Sequence, residues 1–135
     1  MRSAYKHPQL YSDTIRFHKL YWRVHQHLPK AFRLTTGEQI LAEISTCLGC
    51  IAAANFVNKS DTDARLHAVR QLILMRERLE VIRAFLILGW ELKTVSHNSL
   101  ADLSARLDEL GKQATGWQQW FERGSSPDGG KTKKL

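Results

Sequence analysis

Leu28-Pro29-Lys30-Ala31-Phe32-Arg33-Leu34-Thr35-Thr36-Gly37-Glu38-Gln39-Ile40 is a short basic connection between two long segments of helical apolar periodicity. Pro29 lacks an amide donor and its ring clashes with the preceding turn, so a first helix is expected to end near Leu28. Thr35 and Glu38 stand in capping-box spacing, with the hydroxyl placed for an amide of the next turn and the carboxylate reaching back. A second helix is therefore expected from about Thr36. The stretch thus holds a helix stop, two cations and a helix start.

Working outward, apolar residues recur at helical spacing almost throughout. The first segment, about Gln9 to Leu28, carries Leu10, Thr14, Phe17, Tyr21, Val24 and Leu28 on one stripe. The second, about Thr36 to Val57, carries Leu41, Ile44, Leu48 and Ile51, with Ile40 and Cys47 beside them. Asp61, Thr62 and Asp63 suit the cap and first turn of a third segment. That segment runs to about Glu91 with Leu72, Met75, Leu79, Ile82 and Leu86 in register. A fourth follows Ser96-His97-Asn98-Ser99, and its seam is Leu100, Leu103, Leu107, Leu110, Ala114, Trp117 and Phe121. Four long helices with short connections, one apolar stripe each, predict an all-α fold: an antiparallel up-down four-helix bundle. The expected organisation is an N-terminal arm over 1–8, the bundle over 9–123 and a flexible basic tail over 124–135.

A chain of 135 residues with 43% hydrophobic content is enough for one domain with a real core. No uninterrupted apolar run approaches the ~20 residues that span a bilayer, and Met1 to Pro8 lacks the apolar centre of a secretion signal. A cytoplasmic protein without a membrane partner is the expectation. Cys47 and Cys50 form a lone C-x-x-C with no second pair to complete a zinc site and no preceding strand of the thioredoxin kind. They are expected to be small buried apolar residues of a reduced protein. No nucleophile elbow and no glycine-rich phosphate loop is present. Neither catalysis nor a cofactor is expected.

The net charge of +7 is concentrated near the start, where residues 1–35 hold seven Lys/Arg against Asp13 alone. Four of the six histidines, His7, His18, His25 and His27, lie in the same part of the chain. Such clustering points to a polyanionic partner, most often nucleic acid. At about 100° per residue, Arg16, Lys19, Arg23, His27 and Lys30 fall in one arc opposite the core stripe, an arc without a carboxylate. A stripe of that kind can neutralise phosphates without distorting the fold. Between core and cations lies a third face of Tyr11, Ile15, His18, Trp22 and His25, expected as a subunit interface because a monomer would leave it exposed. His18 and His25 lack an acidic or cysteine ligand nearby, so no metal site is expected there. Arg65, Arg76 and Arg83 flank the stripe of the third segment. They are placed to snorkel at the core edge, to pair with acids of a neighbouring subunit, or to extend the basic surface.

Three motifs can be taken together. Leu28-Pro29-Lys30-x-x-Arg33-x-Thr35-x-Gly37-Glu38-x-Ile40 resembles the first interhelical turn of the four-helix-bundle proteins related to ribosomal-RNA intervening-sequence proteins. That family includes the accessory variability determinant (Avd) of diversity-generating retroelements. Glu109-x-Gly111-Lys112-x-x-x-Gly116-Trp117 is similar to the family's C-terminal signature, and Leu79-Glu80-x-Ile82-Arg83-x-x-Leu86 to its third helix. The resemblance covers about residues 10–120. It gives Gly111 the role of letting helices approach closely and Gly116 that of letting Trp117 fold inward.

What the resemblance implies is a non-catalytic protein that assembles as a ring-shaped homopentamer and binds a reverse transcriptase and RNA or DNA. In that role it supports mutagenic copying of a template RNA. Lys30 and Arg33 then correspond to the basic positions of the first turn, and Arg83 to the arginine of helix three. Ile87 stands where many relatives carry a second arginine, and the histidines of the first helix and the lysine tail fall outside the pattern. The expected contacts are Arg16, Lys19, Arg23, Lys30, Arg33, Arg76 and Arg83, with Tyr11, Ile15 and Trp22 between subunits. The alternative is an intervening-sequence-type structural protein with no polymerase partner.

Overall fold

The computed structural model describes residues 8–124. Apart from Pro8, the expected arm lies outside the described residues, as do His7 and the tail from Ser125 with Lys131, Lys133 and Lys134. Within the described residues every regular element is helical: α1 Pro8–Gln26, α2 Lys30–Phe56, α3 Thr62–Glu91 and α4 His97–Gly124. The helices form a bundle in which α2 and α4 both pack on α3, and α1 closes the ring by packing on α2 and α4.

The connection between α1 and α2 is tighter than its sequence implies. The last turn of α1 closes with Leu28 N donating to the His25 carbonyl at 3.2 Å. Pro29 then takes an extended conformation, and its carbonyl receives the amides of Phe32 and Arg33 at 3.0 and 2.8 Å. Pro29 is thus the N-cap, where its missing N–H is no loss. Helix α2 starts at Lys30, not Thr36, and the expected capping box is overturned. Thr35 already lies inside the helix, and its hydroxyl donates back to the Ala31 carbonyl at 2.7 Å. Residues Arg33–Gly37 widen into a π turn. The extra residue sets Phe32 and Gly37 five apart on the inward side, after which the stripe resumes at Ile40.

The core stripes of α1, α3 and α4 are buried as expected, except that Val24 and Leu100 are half-buried at the edge. In α2 the stripe is turned: Ile40, Ile44, Cys47, Cys50, Ile51 and Ala54 are buried, while Leu41 and Leu48 are half-buried. Thr14 is buried and satisfied, its hydroxyl donating to the Leu10 carbonyl at 2.8 Å. By length and composition α2 is apolar enough to cross a membrane, a property shared by core helices of bundles.

The ends of α3 and α4 are fixed locally. Asp61 sits at the N-cap of α3, as expected of this stretch, but makes no side-chain capping bond. Ser96 does cap α4, accepting the Ser99 amide at 3.1 Å. Just past the end of α3, Lys93 takes φ 62°, the Thr94 amide returning to the Gly89 carbonyl at 2.8 Å and the Lys93 amide to the Trp90 carbonyl at 3.0 Å. This turn lays Val95 and Phe32 against Gly89, where an added Cβ would meet Val95 Cγ2 at 2.5 Å and Phe32 Cζ at 3.0 Å. By contrast, nothing lies within 4 Å of a Cβ built on Gly111 or Gly116. The close approach expected at Gly111 is therefore absent, and Gly116 is exposed.

Candidate nucleic-acid interface

From Thr14 through Gly37 the chain carries no carboxylate. Helical periodicity collects the cations of this stretch on the outer side of α1, where Arg16, Lys19, Arg23 and His27 are all exposed, and Lys30 follows across the connection. The side chains of Lys19, Arg23 and Lys30 make no hydrogen bond or ion pair with other described residues. Arg16 differs. Its guanidinium holds Asp13 at 2.5 Å, and Asp13 also accepts from Gln113 Nε2 of α4 at 2.9 Å. The expectation of an arc free of carboxylate is thus corrected at its N-terminal end, because Asp13 lies one turn before Arg16.

His27 Nδ1 lies 2.9 Å from the Arg23 carbonyl. A carbonyl only accepts, so Nδ1 carries a hydrogen and Nε2 faces outward. Arg23 and His27 line a depression with Leu28, Val95, Ser96 and Ser99. Arg33 is half-buried and directs Nη1 to the Leu28 carbonyl at 3.2 Å, fastening the end of α1.

The arginines of α3 have different partners. Arg83 binds Asp108 of α4 at 2.6 Å and Glu80 at 3.2 Å, and Arg76 donates to Gln118 of α4 at 2.7 Å. They line a depression that also holds Glu77, Glu80 and Asp108, so its charge is largely balanced. Arg65 donates to the Lys59 carbonyl, and Arg78 pairs with Glu43 at 3.3 Å. Arg76 and Arg83 are therefore not brought together with the α1 arc.

The third face of α1 divides. Tyr11 and Trp22 are exposed, at 48% and 45%, and Ile15 and His18 are half-buried. His25 is buried, which corrects its expected place on an open face. Its ring rests on Gly37, where an added Cβ would come within 3.1 Å of Nδ1 and Cε1. Its Nδ1 is 3.1 Å from the Tyr21 hydroxyl, and its Nε2 is 3.5 Å from Glu38. Tyr21 also reaches the Gly37 carbonyl at 3.3 Å. Burial, reinforced by Glu38, pushes the Tyr21 phenol above its ordinary value. Sequence reasoning missed this cluster. The available signal was Tyr21 and His25 one turn apart, facing the glycine of the connection.

Cys47 and Cys50 are free thiols, both buried. Burial pushes Cys47 up to about 12, and Cys50 upward as well. No group of three or more His, Cys, Asp or Glu side chains among the described residues could hold a metal ion. Comparison with protein-family models, curated proteins and solved structures gives no match to this chain.

Proposed function

We propose that the chain is a non-catalytic, nucleic-acid-binding helical scaffold of the Avd kind. On this reading it is a cytoplasmic accessory protein that binds a reverse transcriptase and its template RNA. The single observation that carries the reading is the contrast between two sets of cations. Arg65, Arg76, Arg78 and Arg83 of α3 are engaged within the bundle, Arg70 alone of its arginines being exposed without a partner among the described residues, whereas Lys19, Arg23 and Lys30 are exposed on a carboxylate-free stretch and their side chains engage nothing among the described residues. Exposed cations on rigid elements, Lys19 and Arg23 on α1 and Lys30 at the start of α2, neutralise phosphates at little cost in order. The proposed bundle is antiparallel, up and down. The pairs Glu43–Arg78 with Cys47–Met75, and Arg76–Gln118 with Arg83–Asp108, support this: as one residue number rises, the other falls. The homopentameric ring is carried over from the resemblance of the three motifs.

The test is RNA retention by the purified chain at low salt, followed across a salt series. Affinity should fall steeply with salt. The variant Lys19→Glu/Arg23→Glu/Lys30→Glu should lose most binding, reduce the salt slope by about 2 for a single strand, and keep its helical circular dichroism. Failure of the wild-type chain to retain RNA at low salt would overturn the reading. Co-purification with a reverse transcriptase encoded beside it separates the Avd-like role from that of an intervening-sequence-type structural protein.

A further inference from the structure

Helix α1 carries aromatic rings directly beside its cations. Trp22 is 45% exposed, though a large apolar ring without an intramolecular role would normally be covered. It is held in place by neighbours on its own helix. The ring of His18, one turn before, lies at 6.2 Å and 15°, and that of His25 at 5.8 Å and 15°. Such separations belong to offset pairs rather than full face-to-face overlap, so the rings step along the helix and leave π surface open. His25 is itself locked by Tyr21 and Gly37, which anchors the series to the bundle. A shallow depression lined by His18, Lys19, Trp22 and Arg23 joins this ring surface to the two unpartnered cations. Tyr11 lies on the same side, three turns earlier and about 16 Å along the axis.

We propose that Trp22, stacked on His18 and flanked by Lys19 and Arg23, is a base-stacking platform that makes α1 a binder of single-stranded rather than duplex nucleic acid. The inference rests on the polyanion-binding role above and names its ligand class. In a duplex the base faces are already stacked, and only the phosphates are offered. In a single strand a base can swing onto the indole while its flanking phosphates reach Lys19 and Arg23. Sequence tolerance follows, since every base presents a π face. A preorganised ring also loses little rotamer freedom on binding.

The experiment uses the full chain and fluorescein-labelled twelve-nucleotide RNA in three forms: a single strand, the matching duplex, and a single strand with abasic sites through its centre. Single-strand affinity should exceed duplex affinity at the same salt. Trp22→Ala should weaken single-strand binding roughly 5- to 100-fold while leaving the salt slope unchanged, and Trp22→Phe should recover most of the loss. The abasic strand should bind as weakly as the Trp22→Ala pair and be insensitive to that substitution. If Trp22→Ala binds the single strand like wild type while Lys19→Glu/Arg23→Glu does not bind, stacking is overturned and the polyanion role stands. If wild type binds none of the three, both fall. A drop in the light-scattering mass of Trp22→Ala would place the indole between copies of the chain and overturn the platform.

Discussion

Glycine positions separate two physical roles that composition cannot distinguish. Gly89 has no room for a methyl group, because Val95 folds back from the α3–α4 connection to within 2.5 Å of where a Cβ would stand. Gly89→Ala is expected to destabilise the chain by about 1–3 kcal/mol, the usual effect of forcing an extra carbon into a packed site. Gly111→Ala and Gly116→Ala meet nothing and sit inside a helix, so each should stabilise by about 0.5–1 kcal/mol. Thermal or denaturant unfolding of the three variants checks both signs, and equal effects at all three sites would contradict the packing described here. A packing role was expected at Gly111 and Gly116, yet the tight glycines are Gly37, which belongs to the first motif, and Gly89. Their constraint comes from His25 and Val95 folding back at the two connections and from Phe32 reaching Gly89 across the fold, which helical periodicity does not encode. The cations were more legible. Lys19 and Arg23 are exposed where periodicity put them, while Arg83 and Arg76 have partners on α4 that no single-helix pattern reveals.

Among the elements, α2 departs furthest from its expected form, and the reason is the π turn. Pattern reading placed the helix start at a Thr/Glu cap, but Pro29 can itself serve as cap, so the helix begins earlier and acquires an extra residue before Gly37. The shifted phase carries Cys47 into the core beside the Met75 carbonyl, with its thiol 3.9 Å away. Stability should follow that burial. Burial pushes the native Cys47 thiol up to about 12, against 9.0 for the unperturbed group. As pH rises above about 9, the unfolded chain releases this proton and the native chain does not, so native stability falls until the folded value is reached. Tyr21, also raised by burial, adds to the loss at the upper end of the same window. Urea unfolding between pH 7 and 11 should show a decline of up to a few kcal/mol. Cys47→Val should reduce the slope between 9 and 10, leaving the share that the buried Cys50 thiol carries, whereas a slope identical to wild type would show that Cys47 does not contribute. By the same logic, thiol alkylation should require unfolding.

At the scale of the whole molecule, the question is which surfaces the single chain leaves incompletely covered. The sequence reading assigned Tyr11, Ile15 and Trp22 to contacts between copies. The fold adds other apolar surface: Phe56, 91% exposed at the end of α2, and Leu74, Ile87, Leu88 and Leu92 along and just past α3. Between Ala42 and Phe56 the exposed positions of α2 bear no charge. The exposed apolar surface is therefore not confined to α1. Size-exclusion chromatography with light scattering at micromolar concentration is expected to give a mass above that of the 15.5 kDa chain, since that much exposed apolar surface is rarely left open on a monomer, and near five times it on the ring carried over from the resemblance. Trp22→Ala should leave that mass unchanged, because its indole lies on the cationic side of α1 next to Lys19 and Arg23. A wild-type mass of one chain would overturn the ring. A smaller closed assembly would keep self-association but refute the number carried over from the resemblance. A wild-type ring that Trp22→Ala dissociates would restore the α1 face as the interface, with its cations then lining the seam between copies.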